Sequence, residues 1–266
     1  MMFKKLLIGG ASITASPWLT WADFLEFESS LTTVNLSHKG VGNEFIINSL
    51  IKNQDQLGSD SLVVLMLTNI DKWDVYVQDQ RFDALQKQKH PPIAIGKKSG
   101  FWCTGSWFPD YKKIYQELYY DVDYFCYRTI QMIMLARMIC SKYNSHLEIF
   151  YDSDIWNYTE QDLNFAITGQ ILKTRNFLSR DLAKIWTDQL QLSDLRIDKE
   201  SLIGFCWNND LAWANTRFKG HPPSSSHWQF YHSVVRPRIA AICDLKDGYQ
   251  QLLPKIESMD VMWQGS

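Results

Sequence analysis

The sequence predicts an α/β protein: a doubly wound, flavodoxin-like three-layer α/β/α sandwich on a mostly parallel, five-stranded sheet. Three observations carry that expectation. Short apolar runs of strand character alternate with segments of helical periodicity through the first half of the chain, the βαβαβ pattern of a parallel sheet. The early strands end in small or polar residues, where an open α/β sheet gathers its functional groups. No linker, repeat or low-complexity tract divides the 266 residues. That length buries a substantial core as one domain over residues 1–266, with an insertion at about 73–110.

The elements follow in order. Phe3 to Ile8 reads as a strand, Leu19 to Glu28 as a helix, Thr32 to Leu36 as a strand and Glu44 to Lys52 as a helix. Leu62 to Leu67 is apolar throughout and reads as a fully buried strand. Catalytic groups are therefore expected just after Ile8, Leu36 and Leu67. A rival reading takes Lys4, Lys5 and the apolar run up to Ala15-Ser16 as a secretory signal, but Gly9, Gly10, Ser12 and Thr14 interrupt its apolar core. The insertion contains His90-Pro91-Pro92 and Gly96-Lys97-Lys98-Ser99-Gly100 and is placed as a lid or substrate wall. Its Phe101–Phe108 strip is either packed over the domain, a dimer contact or a wall of the pocket. Beyond it, Tyr111 to Lys142 reads as helical with a break near Asp121 to Asp123, Leu147 to Tyr151 as a strand, and Gln161 to Gln191 as helical. Leu202 to Trp207 reads as the last strand. His227 to Ile242 is a helix disturbed by Pro237, and Tyr249 to Ser258 a short final helix containing Pro254.

Composition narrows the function classes. A formal net charge of −2 and a pI near 6.3 give no general electrostatic grip on nucleic acid. The apolar window from Tyr124 to Tyr143 is interrupted by Arg128, Gln131 and Arg137, so it reads as a core helix and not as a membrane span. The five cysteines, Cys103, Cys126, Cys140, Cys206 and Cys243, are scattered without a CxxC spacing and read as buried thiols of a reducing, cytoplasmic compartment. No cofactor and no metal is expected, since His227 and His232 are five apart and do not share a helical face. Eleven tryptophans and 14% aromatic residues exceed what a core of this size needs, which leaves room for a sugar-binding groove or an oligomer interface.

The residue that draws the eye is Ser12, in Gly9-Gly10-Ala11-Ser12-Ile13-Thr14 directly after the first strand. A serine presented there by small residues is how an α/β enzyme exposes a nucleophile; the plain alternative is a cap on the helix that follows. His221 and His227, in Gly220-His221-Pro222-Pro223-Ser224-Ser225-Ser226-His227, are candidate bases, with a loop histidine and a helix cap (His227 or Ser226) as their plain alternatives.

Three separated blocks together resemble the SGNH/GDSL hydrolases. Gly10-Ala11-Ser12-Ile13-Thr14 is similar to the first block, Gly-Asp-Ser-x-Thr, and the resemblance implies that Ser12 is the nucleophile with its amide in an oxyanion hole. Asn35-Leu36-Ser37-His38-Lys39-Gly40-Val41-Gly42-Asn43 resembles the second, which implies a second oxyanion amide from Gly42, with Gly40 as the alternative. A plain reading of Gly42 is a left-handed turn. Gly220 to His227 resembles the last block, implying that His221, before Pro222, is the base, with His227 second. The chain departs from the family at Ala11, where an aspartate is expected, and at Phe218, three residues before His221, where the orienting acid is expected. The third block, Gly-x-Asn-Asp, stands here as Thr68-Asn69-Ile70-Asp71, so Asn69 or Asn43 is left to supply the side-chain donor. Asp210, or a backbone carbonyl, is the remaining means of orienting His221.

The resemblance implies a serine esterase acting on an O-acyl ester; the aromatic content suggests an acetylated carbohydrate or other small-molecule ester. Acyl transfer would use the same residues. The alternative is an SGNH-like protein with weakened catalysis that binds glycans or serves in assembly, which Ala11, Ile70 and Phe218 favour.

Overall fold

A computed structural model of the chain describes residues 3–69, 72, 74–77, 100–103, 122–153, 200–212 and 221–264. Its centre is a parallel sheet of β1 (Lys5–Gly9), β2 (Thr32–Asn35), β3 (Ser61–Leu67) and β6 (His146–Tyr151) in the order β2-β1-β3-β6. In register, Leu7 pairs with Val34 on one side and Val63 on the other, and Val63 pairs with Leu147. All four strands therefore finish at one edge, as expected of a doubly wound fold. The described residues give this sheet four strands where five were expected.

Alternation along the strands builds two cores. Leu7, Val63, Leu65 and Leu67 face α2 (Asn43–Lys52) and α3 (Val122–Lys142), packing on Phe45, Ile47, Leu50, Ile133 and Ala136. Leu6, Ile8, Leu62, Val64 and Met66 face the opposite layer. That layer contains α1 (Trp21–Ser29), α4 (Leu202–Asn208), α5 (Ser224–Phe230) and α7 (Tyr249–Gln264), with Trp21, Phe24, Phe205, Phe230 and Ile256 in the packing. The three layers are thus filled from the sequence alternation of the central strands.

The expected last strand is a helix. Leu202, Phe205 and Cys206 are buried at the spacing of one helical face, and Ser201 accepts a hydrogen bond from the Gly204 amide at 3.1 Å, capping α4. A short apolar run does not distinguish buried strand from buried helix, and the cap decides it here. The helix expected from His227 begins at Ser224, opens into a π turn over Tyr231–Val235 and closes again as α6 (Arg236–Ala240). Pro237 has no amide to return to the preceding turn, which accounts for the widening just before it. The final helix, α7, runs to Gln264, past the expected end at Ser258, with Pro254 inside it.

Within the insertion, β4 (Asp74–Val77) and β5 (Gly100–Cys103) pair antiparallel as a separate two-stranded sheet. Gln161 to Gln191, the 104–121 region, most of the insertion, and positions Ile70, Asp71 and Phe218 lie outside the described residues. Cys140, Cys206 and Cys243 are free thiols, and burial pushes the first two up to about 12. Among the described residues no helix is long and apolar enough to cross a membrane.

Candidate functional site

Ser12 stands in the turn that leaves β1. The turn is closed by the Thr14 and Ala15 amides, both donating to the Ala11 carbonyl at 3.0 Å, and by Ser16 Oγ donating to the Ser12 carbonyl at 2.7 Å. Gly10 is required at its base: a Cβ there would collide with the Thr14 side chain, whose Oγ1 accepts from Trp21 Nε1 at 3.2 Å. The cap of α1 is Thr20, whose amide and hydroxyl donate to Asp23 at 2.7 and 2.8 Å, so Ser12 does not cap that helix. Ala11 is buried in the apolar cluster with Leu7, Val41 and Phe45, an environment in which a carboxylate would be desolvated.

His221 reaches this serine from the far end of the chain. Its Nε2 lies 2.8 Å from Ser12 Oγ, across 209 positions of sequence. Trp18 presents an edge contact to the imidazole, with centroids 6.2 Å apart and planes at 83°. With the ring neutral and its proton on Nδ1, the serine hydroxyl donates to Nε2, the pairing a general base needs.

His227 does not share that position. It is fully buried in α5, neither ring nitrogen has a hydrogen-bond partner among the described residues, and burial holds its basicity down at about 3. An imidazole that stays neutral and sealed off does not exchange protons with Ser12. Nor does it cap α5, whose N-cap is Pro223, and Ser226 Oγ instead donates to the Ala212 carbonyl at 2.5 Å. Asp210 is exposed in a left-handed turn after α4 (φ 52°) and makes no bond to His221.

The expected oxyanion donors divide. Gly42 is the N-cap of α2 with φ −104°, and the left-handed glycine of that loop is Gly40, at φ 71°. The Gly42 amide already donates to Asp74 Oδ1 at 2.7 Å, and the Phe45 amide to Asp74 Oδ2 at 2.8 Å. A Cβ on Gly42 would collide with the Lys72 carbonyl, so glycine is needed there for close packing of the chain after β3. Asn43 is equally occupied: its Nδ2 donates to the Thr68 carbonyl at 3.0 Å and its Oδ1 accepts from the Thr68 amide at 2.9 Å. These bonds tie α2 to the end of β3. Asn69, by contrast, has a buried Oδ1 without a partner among the described residues, and its side-chain nitrogen makes no bond to any of them. The Ser12 amide likewise bonds no described residue. The Ser12 amide, the Asn69 side-chain nitrogen and the Gly40 amide, the alternative to Gly42, thus bond no described residue.

Three buried acids among the described residues at this edge escaped the sequence reading: Asp74, Asp152 and Glu44, whose Oε2 accepts the Asp74 amide at 3.4 Å. Asp74 caps α2 from outside it; desolvation pushes its carboxyl up to about 7, against the two amide bonds that pull the other way. Asp152 directly follows β6 and accepts from Ser153 Oγ at 2.5 Å. An acid after an apolar strand was a usable signal for Asp152; nothing local marked Asp74, since its partners are 32 and 29 positions away. No three metal-ligating side chains cluster among the described residues.

The sheet edge is further joined by the Leu36 amide to the Ile8 carbonyl at 2.7 Å and the His38 amide to the Gly10 carbonyl at 3.1 Å, which bring the segment after β2 against the Ser12 turn. No family model matches the chain, and none of the curated proteins matches it. Among solved structures it is similar to a member of the lipolytic protein G-D-S-L family from Veillonella parvula DSM 2008. The identity is 11% and the TM-score 0.43, with 87% of this chain and 96% of that chain covered.

Proposed function

We propose that the protein is a serine-dependent hydrolase of O-acyl esters. The observation that carries this reading is the 2.8 Å approach of His221 Nε2 to Ser12 Oγ at the carboxyl edge of a parallel sheet. Ser12 Oγ attacks the acyl carbon while its proton passes to His221 Nε2, and the carbonyl electrons move onto oxygen. The Ser12 amide and the Asn69 side chain are the candidate donors to that oxyanion, with the Gly40 amide as the alternative. Collapse expels the alcohol, which takes the proton from His221, and water repeats the sequence on the acyl-serine. An acetylated carbohydrate suits the aromatic surplus as substrate.

A second reading, a weakened site in a glycan-binding or assembly protein, is supported by one specific observation: the Gly42 amide is occupied by Asp74. Fluorophosphonate labelling and hydrolysis of a short aryl ester separate the two. Wild type is expected to label and turn over, and Ser12→Ala to do neither. Folded wild type that does neither leaves the binding reading.

A further inference from the structure

We propose that the last turns of α7 position His221, with Trp263 and Asp260 as the positioning residues; the inference rests on the esterase reading for its kinetic consequence. Trp263 Nε1 donates to the His221 carbonyl at 3.1 Å. One helical turn earlier, Asp260 accepts the Ser225 amide on both carboxylate oxygens, at 3.2 and 3.3 Å. Residues three apart share a helix face, so one face of α7 grips both ends of the segment from His221 to Ser225.

That segment is stiff. Pro222 and Pro223 are both buried, each ring fixes its own φ, and each restricts the residue before it to extended backbone. Pro223 itself is extended, at φ −71° and ψ 169°. With little torsional freedom between the two anchors, a shift at either is passed to the imidazole instead of being absorbed. Trp18 makes an edge contact with the ring. A base displaced by a fraction of an ångström loses its alignment with the serine hydroxyl, whereas substrate binding elsewhere is untouched.

The test uses the full chain. Trp263→Phe keeps an aromatic ring and removes the donor; Asp260→Ala removes the second anchor, and Asp260→Asn retains one acceptor for the Ser225 amide. The expected result is a fall in kcat of about tenfold for Trp263→Phe and Asp260→Ala with KM unchanged, and partial recovery in Asp260→Asn. Nitrogen NMR of the His221 ring supplies a readout independent of turnover: the Nε2 signal is expected to move away from its wild-type position in both disabling variants. Unchanged kcat together with an unchanged His221 spectrum in folded variants overturns the proposal. Wild type that shows no turnover and no labelling ends the esterase reading alone, and the NMR comparison still decides this one.

Discussion

Asn43 and Asn69 stand at the same edge of the sheet, but only Asn69 keeps an amide that no described residue engages. Substitution should therefore separate them. Asn69→Ala is expected to lower kcat by about 100-fold or more, as loss of an oxyanion donor does, with little change in melting temperature. Asn43→Ala removes both buried bonds to the Thr68 backbone and is expected to lose about 2–3 kcal/mol of stability, most of it from the stranded amide and carbonyl. Ester turnover and thermal melting on both variants check this, and the reverse pattern assigns the oxyanion donor to Asn43. The family's pattern made both asparagines candidates, since residue type alone does not reveal which amide already has a partner. The same limit applied to the histidines: the resemblance ranks His221 before His227 but residue type does not exclude the second, and its burial does.

Glu28 shows how elements of the outer layer are locked together. Its fully buried carboxylate accepts Tyr231 Oη at 2.8 Å, Arg236 Nε at 2.8 Å and the Gly248 amide at 3.1 Å, joining the end of α1 to the π turn, α6 and the entry to α7. Burial and this bond push the Tyr231 phenol up, and Arg236 is held above its usual range by the same carboxylate. Glu28→Gln turns an acceptor toward three donors as an amide with donors of its own. A loss of about 3 kcal/mol is expected in urea unfolding, typical of removing one partner of a buried ion pair. A loss below about 0.5 kcal/mol would show that the network is not coupled to folding. Glu28 reads in sequence as the polar end of an amphipathic helix, because its partners lie more than two hundred positions away. The apolar run at Leu202 reads as a strand for a related reason: it is too short to show a helical period, and only the Ser201 cap and the packing on the sheet make it a helix.

Across the whole molecule, two buried groups give stability a pH dependence of opposite sign. His227 takes up a proton below about 6.5 when unfolded but resists until about 3 when folded, so the unfolded state binds more protons and stability falls as pH drops through that window. Asp74 keeps its proton up to about 7 when folded and loses it near 3.8 when unfolded, so its contribution is present below that range and is lost as pH rises to about 7. Each slope approaches about 1.4 kcal/mol per pH unit where only one state is protonated. Relative to wild type, His227→Leu is therefore expected to gain stability as pH falls from 7 to 5, and Asp74→Asn as pH rises from 4 to 7. Melting curves on the three proteins decide it, and parallel profiles would contradict both assignments. Sequence by itself determined the first five elements, β1 to β3 with the helices between them, and the places where functional groups should emerge. Those follow from periods of two and 3.6 residues and from glycines at strand ends, which are local properties. Tertiary structure alone decided that Asp74 occupies the Gly42 amide and that Asn43 is bound to Thr68, whereas the meeting of Ser12 and His221 was implied by the resemblance and not by any local pattern. A polar group's partner is whichever segment the fold brings within about 3 Å, and no local pattern carries that information.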